Sequence, residues 1–166
     1  HYCDILDAVD MPVLIYNNPW RTHLNIQPET VARIREYSSN LVGIKDSSGD
    51  LAMTIAYKKL CAPSFGVFIG RDQLIYSGLA SGLDGAVAAT ANAAVDLVVG
   101  IFNDYLGGCF ADAWEKQEKL TLLRDFFSQG TFPVVVKEAM DLQGLPAGPC
   151  RKPVGPLSEE KRERLR

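Results

Sequence analysis

The stretch Leu41-Val-Gly-Ile-Lys-Asp-Ser-Ser-Gly-Asp50 holds the signals for a strand, a turn and the start of a helix. Its opening run, Leu41–Ile44, is apolar or glycine throughout, which is typical of a parallel strand covered on both faces. The Ser47-Ser-Gly49 segment predicts a turn. Asp50 predicts the N-cap of a helix that ends near Cys61. A strand, turn and helix in this order indicate an α/β fold.

The same unit recurs on either side of this stretch. Further strands are predicted at Val13–Tyr16, Phe65–Ile69 and Gly85–Ala89. Helices are predicted at His1–Ala8, from Pro28 onward, and at Gln73–Ala80 with Asp72 as its N-cap. Strands that alternate with helices every 20–30 residues or so indicate βαβ units and a parallel sheet.

Beyond the fourth strand the pattern becomes helical. Helices are predicted at Ala93–Tyr105, Cys109–Gln129 and Pro133–Gly144, followed by a Pro/Gly-rich stretch and a charged terminal helix. No low-complexity linker separates the two parts. We therefore predict one domain, in which residues 1–92 form four βα units and residues 93–166 form a helical region.

The length limits what four βα units can build. A complete (β/α)8 barrel needs about 200 residues or more, and this chain has 166. The units form either a small open sheet or half of a larger fold. The helix at His1–Ala8 starts abruptly, without a capping residue before it, so we expect a fragment of a larger fold.

Composition excludes several classes of protein. The chain is 47% hydrophobic and 22% charged, with a net charge of −3, which disfavours a disordered chain and gives no reason to expect nucleic acid. The basic run Lys161–Arg166 reads as a solvated helix. The most apolar stretch, Gly78–Gly100, is interrupted by polar residues, so no membrane span is expected. We expect a cytoplasmic protein.

The cysteines and histidines do not form a metal-binding pattern. Four cysteines are widely spaced, no Cys-x-x-Cys pair occurs, and only two histidines are available. Free thiols in a reducing compartment and no metal site are therefore expected. The sequence also lacks the glycine-rich nucleotide-binding motifs Gly-x-Gly-x-x-Gly and Gly-x4-Gly-Lys-Ser/Thr, the zinc-protease motif His-Glu-x-x-His and the nucleophile-elbow motif Gly-x-Ser-x-Gly.

Lys45 is the most informative polar residue. It closes an apolar strand, where a lysine is uncommon because burial of an ammonium is costly. Desolvation favours the neutral amine, which can attack a carbonyl and form a Schiff base. A strand-end lysine that reaches water or pairs with Asp46 explains the position equally well.

Other candidates lie at the ends of neighbouring strands, where functional side chains collect in parallel α/β folds. The Tyr16 hydroxyl is placed to face Lys45 and move protons, although a core tyrosine is the commoner case. Arg21, in the following loop, suits a carboxylate substrate, but a surface arginine is more frequent. Gly70 allows close approach to a ligand or simply makes a turn. The residues around Val87, in the fourth predicted strand, are the last candidates.

Several segments together resemble the dihydrodipicolinate synthase/N-acetylneuraminate lyase family of pyruvate-dependent aldolases. They are Tyr16-Asn-Asn-Pro-Trp-Arg-Thr22, Gly43-Ile-Lys-Asp-Ser47, Gly70-Arg-Asp72, Gly82-Leu-Asp-Gly-Ala-Val-Ala-Ala-Thr-Ala-Asn92 and Pro133-Val-Val-Val-Lys137. The pairing of Tyr-Asn-x-Pro with a later Gly-Ile-Lys is specific, and the resemblance covers essentially the whole chain.

The resemblance implies the C-terminal half of a TIM (β/α)8 barrel, strands five to eight, followed by C-terminal helices, in a homotetramer. It implies that Lys45 forms a Schiff base with pyruvate and that Tyr16 relays protons. The implied substrate-binding residues are Arg21, Ser47, Gly70 and Val87. No cofactor or metal is implied, because the intermediate is an imine on Lys45, and the only expected partners are a small 2-oxo acid and further copies of the chain.

The chain also departs from the family pattern. The Gly-Thr-Thr-Gly segment that binds the pyruvate carboxylate, and the tyrosine from a neighbouring subunit, are absent. His23 replaces a common glycine. Arg21-Thr22 resembles the synthases of the family, whereas Ala147–Pro156 resembles the tails of members that include 2-keto-3-deoxy sugar-acid aldolases. We expect a lyase or aldolase that condenses or cleaves pyruvate through a lysine Schiff base, most like the synthases of the family. The alternatives are a 2-keto-3-deoxy sugar-acid aldolase of the same family and a non-catalytic half-barrel.

Overall fold

Four parallel strands form the only sheet found in the described part of the chain. The computed structural model describes residues 1–61 and 63–166. The strands are β1 (Val13–Asn17), β2 (Leu41–Asp46), β3 (Gly66–Ile69) and β4 (Gly85–Ala86), paired in the order β1-β2-β3-β4. Each neighbouring pair is parallel. The predicted α/β class and parallel sheet are confirmed.

The described chain divides into two compact units, His1–Val87 and Ala88–Arg166. The helices of the first unit are α1 (Tyr2–Ala8), α2 (Pro19–Thr22), α3 (Pro28–Tyr37), α4 (Leu51–Cys61) and α5 (Ile75–Ala80). Those of the second are α6 (Val95–Leu106), α7 (Phe110–Phe126), α8 (Val134–Leu142) and α9 (Glu159–Leu165). The prediction of one domain that changes character after residue 92 stays a prediction.

One face of the sheet forms the core of the first unit. Ile15, Ile44 and Val67 occupy matching positions on three neighbouring strands and are buried. Val31 of α3 and Tyr57 of α4 are buried as well. Burial of such side chains contributes about 1.5–3 kcal/mol each. The helices that follow β1 and β2 therefore hold this face of the sheet.

The other face of the sheet is open. Leu14, Tyr16 and Val87 are 47%, 50% and 46% exposed, although a strand interior normally buries apolar residues. Glycines lie between them: a Cβ on Gly43 would stand 2.6 Å from the Gly66 carbonyl oxygen. A face with apolar side chains and glycines is expected in the interior of a barrel. Here the described residues leave it uncovered.

The structure corrects three local predictions. β4 ends at Ala86 and not at Ala89, because a 3-10 turn begins at Ala89. Asp72 is not an N-cap: it lies inside a 3-10 turn that precedes α5. Arg21 is not in a loop but in the short helix α2, which begins with Pro19 at its first position.

The second unit has a core of its own. Phe127, Leu157 and the Val134–Val136 run of α8 are buried together. Among residues 1–61 and 63–166, no helix is long and apolar enough to cross a membrane.

Candidate active site

Lys45 and Tyr16 are paired residues at the ends of β2 and β1. The Lys45 Nζ lies 4.3 Å from the centre of the Tyr16 ring. An ammonium over an aromatic face is stabilised by the ring quadrupole. The two side chains therefore lie next to each other, as predicted, but Lys45 contacts the face of the Tyr16 ring and not its hydroxyl. The Tyr16 hydroxyl instead accepts a hydrogen bond from Asn18 Nδ2 at 2.9 Å.

Gly70 and Ser47 border the Lys45 side chain. A Cβ on Gly70 would stand 3.1 Å from Lys45 Cε and 2.1 Å from Ser47 Oγ. The Ser47 hydroxyl donates to the Gly70 carbonyl at 3.3 Å. Any side chain at residue 70 would thus displace one of the two groups. Tyr16, Lys45, Ser47 and Gly70 lie together at the carboxyl ends of three adjacent strands.

Asp46 does not pair with Lys45. Its carboxylate is 0% exposed and accepts hydrogen bonds from Asn17 Nδ2 at 2.8 Å and from the Ser48 backbone N–H at 3.0 Å. The hydroxyls of Ser48 and Thr54 donate to its second oxygen. Four donors satisfy the buried charge, and no ion pair to Lys45 occurs among the described residues. The structure therefore contradicts the alternative in which Asp46 pairs with Lys45.

The carboxylate belongs to a larger buried network that joins β1 and β2 to α4. Asn17 Oδ1 accepts from the Ile26 N–H at 3.2 Å, and its Nδ2 also lies 3.4 Å from the Tyr57 hydroxyl. The Tyr57 hydroxyl donates to the Ile26 carbonyl. Burial, then the nearby Asp46 charge, raises the pKa of Tyr57 far above its ordinary value. The phenol therefore stays a neutral donor.

Arg21 and Val87 lie at the same edge of the sheet but do not contact Lys45 through any polar group. Val87 is held by its backbone N–H, which donates to the Ile69 carbonyl at 2.9 Å. Arg21 is exposed on α2, and its guanidinium has no hydrogen bond or ion pair among the described residues. Both side chains are exposed.

Sequence reasoning missed the supporting residues Asn17, Asp46, Thr54 and Tyr57. Only one signal in the chain pointed to them: Asn17 and Asp46 are polar residues that directly follow the two candidate catalytic residues. Thr54 and Tyr57 looked like ordinary helix residues, because their partners lie on other elements.

No metal centre is evident in the described residues. They contain no group of three or more His, Cys, Asp or Glu side chains placed to hold an ion. Cys3, Cys61, Cys109 and Cys150 are free thiols in this structure.

The parallel sheet has glycines on its open face and a lysine at the carboxyl end of one strand. These features define the class of protein: part of a (β/α)8 barrel with its site at the strand ends. The dihydrodipicolinate synthetase family model matches residues 1–166. The chain belongs to that family. It corresponds to the C-terminal half of the family's barrel and spans about half the length of the curated relatives it matches.

Known proteins agree with this assignment. A 4-hydroxy-tetrahydrodipicolinate synthase of Methanothrix thermoacetophila is 37% identical over 168 residues, which cover 100% of this chain and 56% of that protein. The prophage protein YagE of E. coli K12, solved in complex with pyruvate, superposes with a TM-score of 0.90 at 27% identity, covering 99% of this chain and 59% of YagE. KD(P)GA from T. tenax gives a TM-score of 0.87 at 31% identity, over 98% of this chain and 56% of KD(P)GA.

Proposed function

We propose that this chain carries the Schiff-base half of a pyruvate-dependent lyase, most like 4-hydroxy-tetrahydrodipicolinate synthase, which joins pyruvate to aspartate semialdehyde. The observation that supports it best is Lys45 itself. Its amine has no carboxylate partner among the described residues and lies 4.3 Å from the centre of the Tyr16 ring, beside Gly70, whose missing side chain leaves space for Lys45 Cε and Ser47 Oγ.

Lys45 is the proposed nucleophile. Its neutral amine attacks the C2 carbonyl of pyruvate to give a carbinolamine, and loss of water gives the imine. The protonated imine withdraws electrons, so C3 loses a proton and an enamine forms. The enamine carbon attacks the aldehyde, and water then releases the product and restores the amine.

The other site residues have proposed roles around this imine. Tyr16 relays protons to and from the carbinolamine, and its hydroxyl accepts a hydrogen bond from Asn18. Arg21 holds a substrate carboxylate through its guanidinium fork. The pyruvate pocket is lined by Ser47, Gly70 and Val87. Gly70 and Val87 contribute backbone groups to it. No separate cofactor and no metal are proposed.

A second candidate is a 2-keto-3-deoxy sugar-acid aldolase, which shares the imine and differs in the aldehyde. The similarity to KD(P)GA from T. tenax favours it. A non-catalytic half-barrel is the third, supported by the open sheet face that exposes Leu14, Tyr16 and Val87. For the catalytic candidates we propose a cytoplasmic homo-oligomer, a tetramer as in the family, that acts on small molecules and binds neither nucleic acid nor membrane.

The test has two stages. Pyruvate with borohydride, followed by peptide mass mapping, should modify Lys45 in a folded chain, whereas Lys45→Arg should remain unmodified. Lys59→Arg on the exposed side of α4 is the matched control. Condensation of pyruvate with aspartate semialdehyde, compared with cleavage of 2-keto-3-deoxygluconate, then separates the two enzymes.

Absence of a Lys45 adduct in a folded chain would favour the non-catalytic half-barrel. That candidate also predicts recovery of imine formation when the N-terminal half of a relative is supplied. The chain alone should turn over much more slowly than a full-length relative, and equal turnover would contradict this expectation.

A further inference from the structure

Phe68 occupies the strand position next to Lys45 on the open face of the sheet. Lys45 is paired with Tyr16 of β1 on one side and with Phe68 of β3 on the other, and Phe68 is paired with Gly85 of β4. Paired residues on neighbouring parallel strands lie about 4.8 Å apart and point to the same face. Lys45 therefore stands between two aromatic side chains, of which the proposed function uses only Tyr16.

The half-buried ring of Phe68 lies over two glycines. A Cβ on Gly66 would stand 3.0 Å from Phe68 Cε2, and a Cβ on Gly85 would stand 3.5 Å from Cδ1, at the opposite edge of the ring. Gly66 lies two residues before Phe68 and therefore on the same face of β3. The ring thus leans away from the carboxyl end of β3, into space that the two glycines leave free.

The Lys45 side chain leans in the opposite direction. Its Cε lies 3.1 Å from the position of a Cβ on Gly70, which follows β3 directly. Lys45 therefore extends toward the carboxyl ends of the strands, where its Nζ lies over the Tyr16 ring. The Phe68 ring lies on the other side of the same row, beneath the amine.

Leu14 extends this apolar surface on the side of β1. Leu14, Gly43 and Gly66 are paired across three strands, and Leu14 Cδ2 lies 3.4 Å from the position of a Cβ on Gly43. We call the surface formed by Leu14 and Phe68 over these glycines the floor. It offers no polar side chain, so it accepts an apolar group of a ligand and disfavours a hydroxyl or a carboxylate.

We propose that Phe68 sets the size of the 2-oxo acid that Lys45 accepts, because its ring closes the space beneath the imine to a chain longer than the methyl group of pyruvate. Lys45 Nζ covers the face of the Tyr16 ring, and Ser47 and Gly70 present polar groups. The extra carbon of a longer 2-oxo acid would therefore enter the space that Phe68 fills. The inference rests on the proposed function, since it assigns a specificity-determining residue to the same site.

Competition between two 2-oxo acids tests this role. The folded chain is incubated with equal concentrations of pyruvate and 2-oxobutyrate, which differ by one methylene, and is then reduced with borohydride. Peptide mass mapping gives the ratio of the two adducts on Lys45. The same mixture with Nα-acetyllysine gives the ratio set by the carbonyls alone, and we expect Lys45 of the unchanged protein to favour pyruvate beyond that ratio.

Substitutions at residue 68 should change this preference. Phe68→Ala should raise the share of 2-oxobutyrate relative to pyruvate about tenfold, which is the lower end of the discrimination that an apolar pocket makes for one methylene. Phe68→Leu keeps more of the apolar volume and should raise it less, in a chain whose circular dichroism shows it to be folded. Phe110→Leu removes a ring that is 52% exposed on α7, and this matched control should leave the ratio unchanged.

Two results would overturn the inference: the same adduct ratio in both Phe68 variants and the unchanged protein, or an equal change in Phe110→Leu. Either result, with pyruvate trapped on Lys45, would leave the proposed function intact and make Phe68 a packing residue only. A folded chain in which neither 2-oxo acid modifies Lys45 would instead refute the proposed function, and the inference with it.

Discussion

Asn17 donates a 2.8 Å hydrogen bond to Asp46 across β1 and β2, one residue beyond the pair formed by Tyr16 and Lys45. Both side chains are almost completely buried, at 1% and 0% exposure. Their strand positions are opposite each other in the register. The bond therefore fixes the alignment of the two strands at the point where the candidate catalytic side chains meet.

Thr54→Val should destabilise the chain. It removes the hydroxyl that donates to Asp46 and to the Asp50 carbonyl and leaves a buried carboxylate short of a donor, at a cost of about 1–3 kcal/mol. Urea unfolding measures the change. Thr30→Val on α3, a half-buried position, is the control, and equal losses in the two variants would contradict a special role for the network.

Gly70→Ala should disturb the site more than the fold. The added Cβ would overlap Ser47 Oγ at 2.1 Å and approach the Asp46 carbonyl at 2.9 Å, so Ser47 and Lys45 must move. We expect reduced modification of Lys45 by pyruvate and borohydride in a chain that still folds. Gly155→Ala adds a methyl group in open space and should react like the unchanged protein. Undiminished modification in Gly70→Ala would show that the close approach is not needed.

His23 occupies a backbone conformation that favours glycine. It caps α2 with a φ of 56° and a ψ of 19°, in the left-handed region that costs most residues about 1–2 kcal/mol. Since histidine tolerates this region better than a β-branched residue, His23→Val should lower the unfolding midpoint. His23→Gly should match or slightly raise it, because the relief of strain is partly offset by the entropy of the unfolded chain. A more stable valine variant would contradict this.

The stability of the chain should fall at alkaline pH partly through Tyr57. Its pKa is raised in the folded state by burial, whereas the phenol of the unfolded chain ionises near pH 10 or so. The unfolded state therefore loses a proton that the folded state keeps, and stability declines as pH rises above that value. Tyr57→Phe should be less stable at pH 7 but should show a shallower decline above pH 10. Parallel curves of unfolding free energy against pH would contradict the assignment.

The sheet and the meeting of Tyr16 with Lys45 followed from the sequence because both depend on local pattern. Apolar runs identify parallel strands, and the ends of parallel strands lie at one edge. The hydrogen bonds of Asp46 with Asn17 and Thr54 did not follow, because they join side chains on different elements. β4 was predicted too long, since the small residues after Ala86 are equally compatible with a strand and a turn.

The role of Lys45 as the nucleophile is tested most directly by reductive trapping with pyruvate. We expect one adduct, on the peptide that contains Lys45, in a chain whose circular dichroism shows it to be folded. The adduct should be lost in Lys45→Arg and kept in Lys59→Arg. A folded chain in which Lys45 stays unmodified, or in which Lys59 is modified equally, would contradict the claim that Lys45 is the nucleophile.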